Sequence, residues 1–383
     1  MSRASRLGLA ALILAGATAW ASPLTEAMRE VERLRGLTFV RDVAQRTVDR
    51  VELRALLRAE VVKSVPYSPE QYVSILAAFQ LIDSSSPALI DKLLDLYQSQ
   101  VLAFYDPRSH TYFAVRQLPE AMAGLGDAEM LRQSVVMHEL MHALQDQRFD
   151  ASRRDEELQT DVDAELAYHA LLEGEATLVM IDYLLDRAGQ SLQSAIDNDM
   201  LVNLAAMTSA ADKSIDPDTP RYFTEMLKFP YLDGLKFVIE GYRRGGWKEL
   251  DRMHANPPRS TREVLHRQEY FARIGSGVGA TASGAWRPGA AAATPAVLTV
   301  EHMGEFHWRY FVGDAATGWV DDRVTFLQNP ACQMTVIAET QWESEVRARA
   351  FESAYVSFLR GRGIEPKVNA RGRSVTVTYG PIE

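Results

Sequence analysis

The sequence contains a single cysteine, Cys332, so the chain can form no disulfide bond within itself. Cys332 lies among strand-like residues, and we expect it to be buried as a small apolar side chain rather than to act as a nucleophile. Positive charge is also scarce, since 41 Lys and Arg residues face 51 acidic residues and the formal net charge is −10 at pH 7. No basic stretch offsets this deficit, which argues against nucleic acid as the main partner.

Long apolar runs are missing after residue 21, so we expect no transmembrane span once the N-terminal segment is removed. The one long apolar stretch, residues 7–21, is short for a membrane span and follows two positive charges, Arg3 and Arg6. It ends in Ala-Trp-Ala, the small-residue pattern of a signal-peptide cleavage site. We therefore predict a signal peptide at residues 1–21 and an exported protein, periplasmic or extracellular. An uncleaved anchor is the alternative.

The length of 383 residues fits two domains. Residues 275–293 are rich in Gly and Ala and poor in large side chains, which is typical of a linker. We predict a mainly helical domain with a small β-hairpin at residues 22–274, and a small C-terminal domain of mixed strands and helices at residues 294–383. The predicted fold class is therefore α+β.

Apolar spacing and turn residues predict the individual elements. Helices are expected twice within 22–63 and at 70–82, 87–98, 130–147, 161–187 and 234–242. A hairpin is expected at 101–115, around the turn residues Asp106–Ser109. The C-terminal part is expected to contain helices at 303–312 and 343–360 and strands at 323–327, 334–338 and 374–379.

The most informative stretch is 138–147, which reads His-Glu-Leu-Met-His-Ala-Leu-Gln-Asp-Gln. His138 and His142 are four residues apart, so both point to one side of the predicted helix. This His-Glu-x-x-His pattern supplies two imidazoles for a zinc ion and a carboxylate, Glu139, that handles the proton of its water. The rest of the helix is apolar on nearly every face, as in a buried helix. Two buried histidines and a glutamate need a partner there, and a metal is the simplest one; the alternative is two surface histidines on an ordinary helix.

A catalytic zinc ion has three protein ligands and one open position, so a third ligand is needed. Asp146 continues the spacing of the two histidines, but eight helical residues rise about 12 Å, too far for His138 and Asp146 to share an ion. Asp146 is therefore expected either to support the site or to be solvated. The predicted helix at 161–187 offers Glu165, His169, Glu173 and Glu175.

Residues 172–177, Leu-Glu-Gly-Glu-Ala-Thr, resemble the Asn-Glu-Gly-Phe-Ala-Thr type of motif in the aminopeptidase branch of the gluzincin metallopeptidases. The resemblance implies that Glu173 is the third zinc ligand, with Glu175 and His169 as alternatives. Leu172 and Glu175 depart from the motif, and Glu173 follows His142 by 31 residues, more than in familiar gluzincins. The order of signal peptide, hairpin, motif helix and Glu-Gly-Xaa-Ala helix is also similar to exported bacterial zincin-like proteins. This wider resemblance implies a zincin-like fold and no particular substrate.

The resemblance further implies a peptide or protein substrate, with Glu139 as general base and the hairpin as an edge strand for the bound peptide. Gluzincins add a downstream Tyr or His that stabilises the oxyanion. Tyr231 and His266 are the candidates here, followed by Tyr222 and Tyr242. His110 falls near the hairpin turn, where we expect a solvated residue rather than a ligand.

Two other functions use the same residues. The chain could be a catalytically silent zincin-like envelope protein that binds a partner, although such a scaffold has no need of Glu139. It could also be a zinc hydrolase that acts on a non-peptide amide or ester. Intramembrane HExxH proteases are excluded by the absence of later apolar spans.

Overall fold

The computed structural model describes residues 24–64, 68–83, 85–86, 88–116, 128–201, 218–277 and 297–381. These residues form helices and two small sheets, which confirms the α+β class. They fall into two compact units, each built from separate stretches of chain. The first consists of Met1–Pro66, Ala88–Glu157 and Tyr168–Pro257, and the second of Tyr67–Pro87, Leu158–Ala167 and Pro258–Glu383. The predicted signal peptide, and most of the predicted linker, lie outside the described residues.

The first unit combines helices with a three-stranded sheet. Its helices are α1 (Leu24–Arg35), α2 (Arg50–Ser64), α4 (Ala88–Gln100), α5 (Ala128–Phe149), α6 (Ala151–Leu158), most of α7 (Val162–Arg187), α8 (Leu192–Asp197), α9 (Arg221–Gly245) and α10 (Trp247–Ala255). Its strands are β1 (Ala44–Val48), β2 (Ala103–Asp106) and β3 (Thr111–Val115). The predicted hairpin is present as β2 and β3, and the sheet order is β1-β3-β2. The parallel strand β1 was not predicted, because only one of its five side chains is buried and it lacks an alternating apolar pattern.

Helix α5 lies in the core of this unit. Leu140, Met141, Ala143 and Leu144 are fully buried, as the apolar residues around the motif indicated. Helix α1 packs against the same core through Val31 and its neighbours. The motif helix is therefore held from several sides, which restrains the direction of its polar side chains.

The second unit is built on a five-stranded antiparallel sheet of order β4-β5-β6-β8-β7. Its strands are β4 (Val297–Glu301), β5 (Trp319–Gln328), β6 (Met334–Trp342), β7 (Lys367–Arg371) and β8 (Ser374–Tyr379). Its helices are α3 (Pro69–Ala78), α11 (Thr261–Leu265), α12 (Arg267–Gly275), α13 (Gly304–Val312) and α14 (Glu345–Gly361), with a 3₁₀ turn at Gly313–Ala316. The edge strands β4 and β7 were missed, since β4 is only half-buried and every residue of β7 is exposed.

One sequence-based expectation was wrong. Cys332 is exposed in the turn between β5 and β6, with a positive φ of 59°, because the chain reverses there instead of continuing a strand. Helix α9 is longer than the helix predicted at 234–242, since it runs from residue 221 to residue 245 with Pro230 inside it. An additional short helix that was not predicted, α6, follows the motif helix. Among the described residues, no helix has both the length and the apolar character needed to cross a membrane.

Candidate metal centre

Helices α5 and α7 bring together three of the side chains singled out in the sequence. His138 and His142 point from consecutive turns of α5, and Glu173 points from the middle of α7. The Nε2 atoms of the two histidines are 3.1 Å apart, and the Oε2 atom of Glu173 lies 3.1 Å from His138 Nε2 and 3.3 Å from His142 Nε2. The three atoms form a nearly equilateral triangle.

This triangle has the dimensions of one face of a zinc site. Ligands about 2.0–2.2 Å from a tetrahedral zinc ion are separated from one another by about 3.3 Å. His138 and Glu173 are buried, whereas the side chain of His142 is 13% exposed. The group is therefore accessible to solvent at His142. The residues present fit a zinc ion with three protein ligands and an open position.

The electrostatics of the three residues also favour a bound cation. Burial alone would raise the pKa of Glu173, but the charge of His142 and hydrogen bonds from both histidines hold this pKa well below its usual range. Burial would lower the pKa of His142, yet the nearby Glu173 raises it to about 9. Burial lowers the pKa of His138. The buried carboxylate of Glu173 is thus stabilised by positive charge on the neighbouring histidines. A divalent metal ion would supply positive charge at the same place.

The two alternative third ligands lie elsewhere. Glu175, two residues after Glu173, points away from the histidine pair and accepts a hydrogen bond from Arg35 Nε at 2.7 Å. His169 Nε2 contacts Asp155 Oδ1 at 2.6 Å. Of the three candidates that the sequence left open on this helix, only Glu173 shares a cluster with both histidines of the motif.

Glu139 is fully buried beside the three proposed ligands. Its Oε2 atom accepts a hydrogen bond of 3.0 Å from the backbone N–H of Tyr105 in β2, while its Oε1 atom has no hydrogen-bond partner among the described residues. Burial raises the pKa of this carboxyl to about 8. The hairpin thus fixes Oε2, while Oε1 can accept a hydrogen bond from a further donor. A group that exchanges a proton with a bound water needs one such oxygen.

Asp146 fastens the hairpin to the end of α5. Its Oδ2 atom accepts hydrogen bonds from Tyr105 Oη at 3.0 Å and Arg41 Nη2 at 3.2 Å, and its Oδ1 atom accepts one from Ser152 Oγ. Asp146 is buried, so of the two expectations for it, support of the site is the one that fits. His110 lies in the hairpin turn with a positive φ of 50° and contacts Tyr105 Oη, in agreement with a turn residue.

A close crossing of α7 and α9 lies directly behind Glu173. A Cβ atom added to Gly174 would overlap the carbonyl group of Gly234 and lie 2.9 Å from Val238 Cγ2, and one added to Gly234 would overlap the backbone of Ala170. Only glycine allows two backbones to approach so closely. Gly174 belongs to the gluzincin-like motif, but its packing role could not be predicted from the sequence, since the partner glycine lies 60 residues later.

The crossing places Tyr231, one turn before Gly234, next to the histidines. Its ring centroid lies 6.1 Å from that of His138, and the two rings are inclined by only 26°. The other three oxyanion candidates have different surroundings. Tyr222 is buried, Tyr242 packs on Trp247, and His266, in the second unit, contacts Glu305 Oε1 at 2.8 Å.

Comparison with protein families finds one match, to a domain of unknown function, DUF8575, over residues 281–382. The matched range covers much of the second unit and none of the residues of the candidate metal centre. No curated protein and no solved structure is similar enough to match.

Proposed function

We propose that the chain is a zinc-dependent metallopeptidase of the HExxH type, with His138, His142 and Glu173 as metal ligands. The observation that carries the proposal is the convergence of three potential ligand atoms, from two helices, at the spacing of a tetrahedral zinc site. The resemblance of residues 172–177 to the gluzincin motif supports the same assignment. If residues 1–21 are a signal peptide, the enzyme acts in the periplasm or outside the cell.

Each residue then has a role that its position supports. Bound zinc would supply Lewis-acid chemistry, which polarises a carbonyl and makes water a nucleophile near neutral pH. Glu139 accepts a proton at Oε1, which none of the described residues contacts by a hydrogen bond, and later returns one to the leaving nitrogen, while the Tyr105 N–H keeps the carboxylate in place. The ring of Tyr231 lies beside that of His138, and we assign to its hydroxyl the role of donating to the oxygen that becomes negative.

The proposal is tested by metal content and peptidase activity, measured on the same preparations. We expect the purified wild-type chain to contain close to one zinc per chain by elemental analysis, and Glu173→Ala to lose it. Glu139→Gln should keep its zinc and lose activity on a peptide library by about 10²–10⁴-fold, because the general base is missing. Glu157→Gln, an exposed carboxylate on α6, is the matched control and should match the wild type in both measurements.

Two results would overturn the proposal. If the wild type binds no zinc after zinc is supplied, the metal site is wrong. If Glu139→Gln binds zinc and cleaves peptides at the wild-type rate, the assigned mechanism is wrong. Zinc binding in a wild type that cleaves ester or amide substrates but no peptide would keep the site and reject the substrate class.

A further inference from the structure

A buried polar side chain lies directly behind His142. The Nδ1 atom of His142 is 2.9 Å from Oε1 of Gln145, one turn further along α5. The orientation of this amide follows from its other partners, since its Nε2 atom lies 3.0 Å from the carbonyl oxygen of Leu172 and 2.8 Å from Oε2 of Glu175. Both of these atoms are acceptors, so the amide nitrogen must face them and the amide oxygen must face His142. An amide oxygen only accepts, so His142 donates from Nδ1, and in the neutral ring that a metal requires the nitrogen without a proton is then Nε2.

Gln145 is held in turn by Glu175, which is fully buried. Oε1 of Glu175 accepts a hydrogen bond of 2.7 Å from Arg35 Nε. Its Oε2 atom contacts His254 Nε2 at 2.6 Å in addition to the amide of Gln145. A buried carboxylate with three such partners is fixed in direction, because turning it would break several charge-assisted hydrogen bonds at once.

The contacts that lead from His142 through Gln145 and Glu175 end at Arg35, the last residue of α1. The guanidinium of Arg35 is 1% exposed and contacts Oδ1 of Asp251 at 2.6 Å as well as Glu175. It also lies 5.0 Å from the ring centroid of Trp247. Helix α1 and helix α10 thus meet at one buried charge, and both reach the proposed zinc ligand through Glu175 and Gln145.

We propose that Gln145 and Glu175 are positioning residues that fix the ring orientation and tautomer of His142, with Arg35 as their anchor in α1. The inference rests on the proposed metal site. It assigns a function to Glu175, which the gluzincin motif does not have at this position, and it makes helix α1 a component of the site. Residues of this kind leave the ligand set unchanged but alter how tightly and in what geometry the metal is held.

The experiment measures the metal itself, independently of activity. Zinc affinity is determined by competition with a chelator, and coordination geometry by the visible absorption spectrum of the cobalt-substituted protein. The variant Gln145→Met keeps the length of the side chain and removes its hydrogen bonds. Gln147→Met is the matched control, because Gln147 lies on the same helix and also makes three hydrogen bonds, all to the backbone of residues 40 and 41. Glu175→Gln removes the charge of the anchored carboxylate with almost no change of shape.

We expect Gln145→Met to bind zinc about 10–100-fold more weakly than the wild type and to change the cobalt spectrum. Glu175→Gln should also weaken zinc binding and change the cobalt spectrum. Gln147→Met should leave the zinc affinity and the cobalt spectrum unchanged. If Gln145→Met does not fold by circular dichroism, Glu175→Gln carries the test alone. Wild-type zinc affinity and an unchanged cobalt spectrum in the folded variants would overturn the inference and leave the proposed function intact. A wild type that binds no zinc would overturn both.

Discussion

Replacing Gly174 with alanine tests how the crossing of α7 and α9 builds the site. The added Cβ would overlap the carbonyl group of Gly234 and press on Val238 Cγ2 at 2.9 Å. The obstacle is mainly backbone, which cannot turn aside as a flexible side chain can. In an open helix the same change would stabilise the protein by up to about 1 kcal/mol, because alanine is the better helix former. Overpacking of a tight contact costs about 1–3 kcal/mol. Because the obstructing atoms are backbone, we expect the steric cost to exceed the gain in helix propensity. The free energy of unfolding should therefore fall.

The effect of Gly174→Ala on activity can be distinguished from a general loss of stability. Glu173 stays on α7, so zinc content should be unchanged, while α9 must move away and carry Tyr231 from its place beside His138. We expect kcat/KM to fall in a protein that is folded at the assay temperature. The measurements are urea unfolding, zinc content and peptidase kinetics. Gly361→Ala is the control, because Gly361 ends α14 and no neighbour in the described part of the chain lies within 4 Å of an added Cβ. A Gly174→Ala protein as stable and as active as the wild type would refute the reasoning.

Two further predictions follow from single side chains. Tyr231→Phe should keep its zinc but lower kcat by about 10²–10³-fold, the effect of losing one oxyanion donor; unchanged peptidase kinetics would exclude Tyr231 from that role. Burial lowers the pKa of His307 to about 4, while its Nδ1 lies 2.6 Å from the carbonyl oxygen of Met303. As the pH falls from 6.5 towards 4, the unfolded chain takes up a proton that the folded chain does not, so His307 should lower the free energy of unfolding by up to about 3 kcal/mol over this range. Urea unfolding of His307→Gln should show a shallower dependence on pH, and an identical dependence would contradict the assignment.

The pair His138 and His142, with Glu139 between them, could be predicted from the sequence because its geometry is local. Residues four apart on a helix share a face whatever surrounds them. The hairpin was predictable for the same reason, since Asp106–Ser109 contains turn residues between two short apolar runs.

The third proposed ligand, Glu173, could not be predicted from spacing alone. Glu165, His169, Glu173 and Glu175 lie within eleven residues of one predicted helix, and which of them faces α5 depends on how the two helices pack. The resemblance to a known motif, rather than periodicity, favoured Glu173. The same limit explains why Gly174 and Gly234 were not paired, because a close crossing of helices is decided between distant residues.

Two of the strands that were not predicted, β1 and β7, lie at the edges of their sheets. β1 and β7 have mostly exposed residues, so neither shows the alternation of apolar and polar residues that indicates a strand. Their partners are more deeply buried, since β8 alternates between buried and half-buried residues and all five residues of β3 are buried. An edge strand of this kind is specified largely by backbone pairing, which leaves little trace in the side chains.

The buried partners of Glu175 have a consequence for how the protein is made. Arg35 precedes Glu175 by 140 residues and His254 follows it by 79. A nascent chain that has just completed α7 has synthesised all three proposed ligands, yet Glu175 still lacks His254 and a buried carboxylate without its partners is costly. Contacts between such distant residues also form slowly, because the chain loses the entropy of closing a long loop before the contact stabilises it. We therefore expect the metal centre to mature late, after synthesis of the first unit is complete, and an unfinished chain to hold zinc loosely.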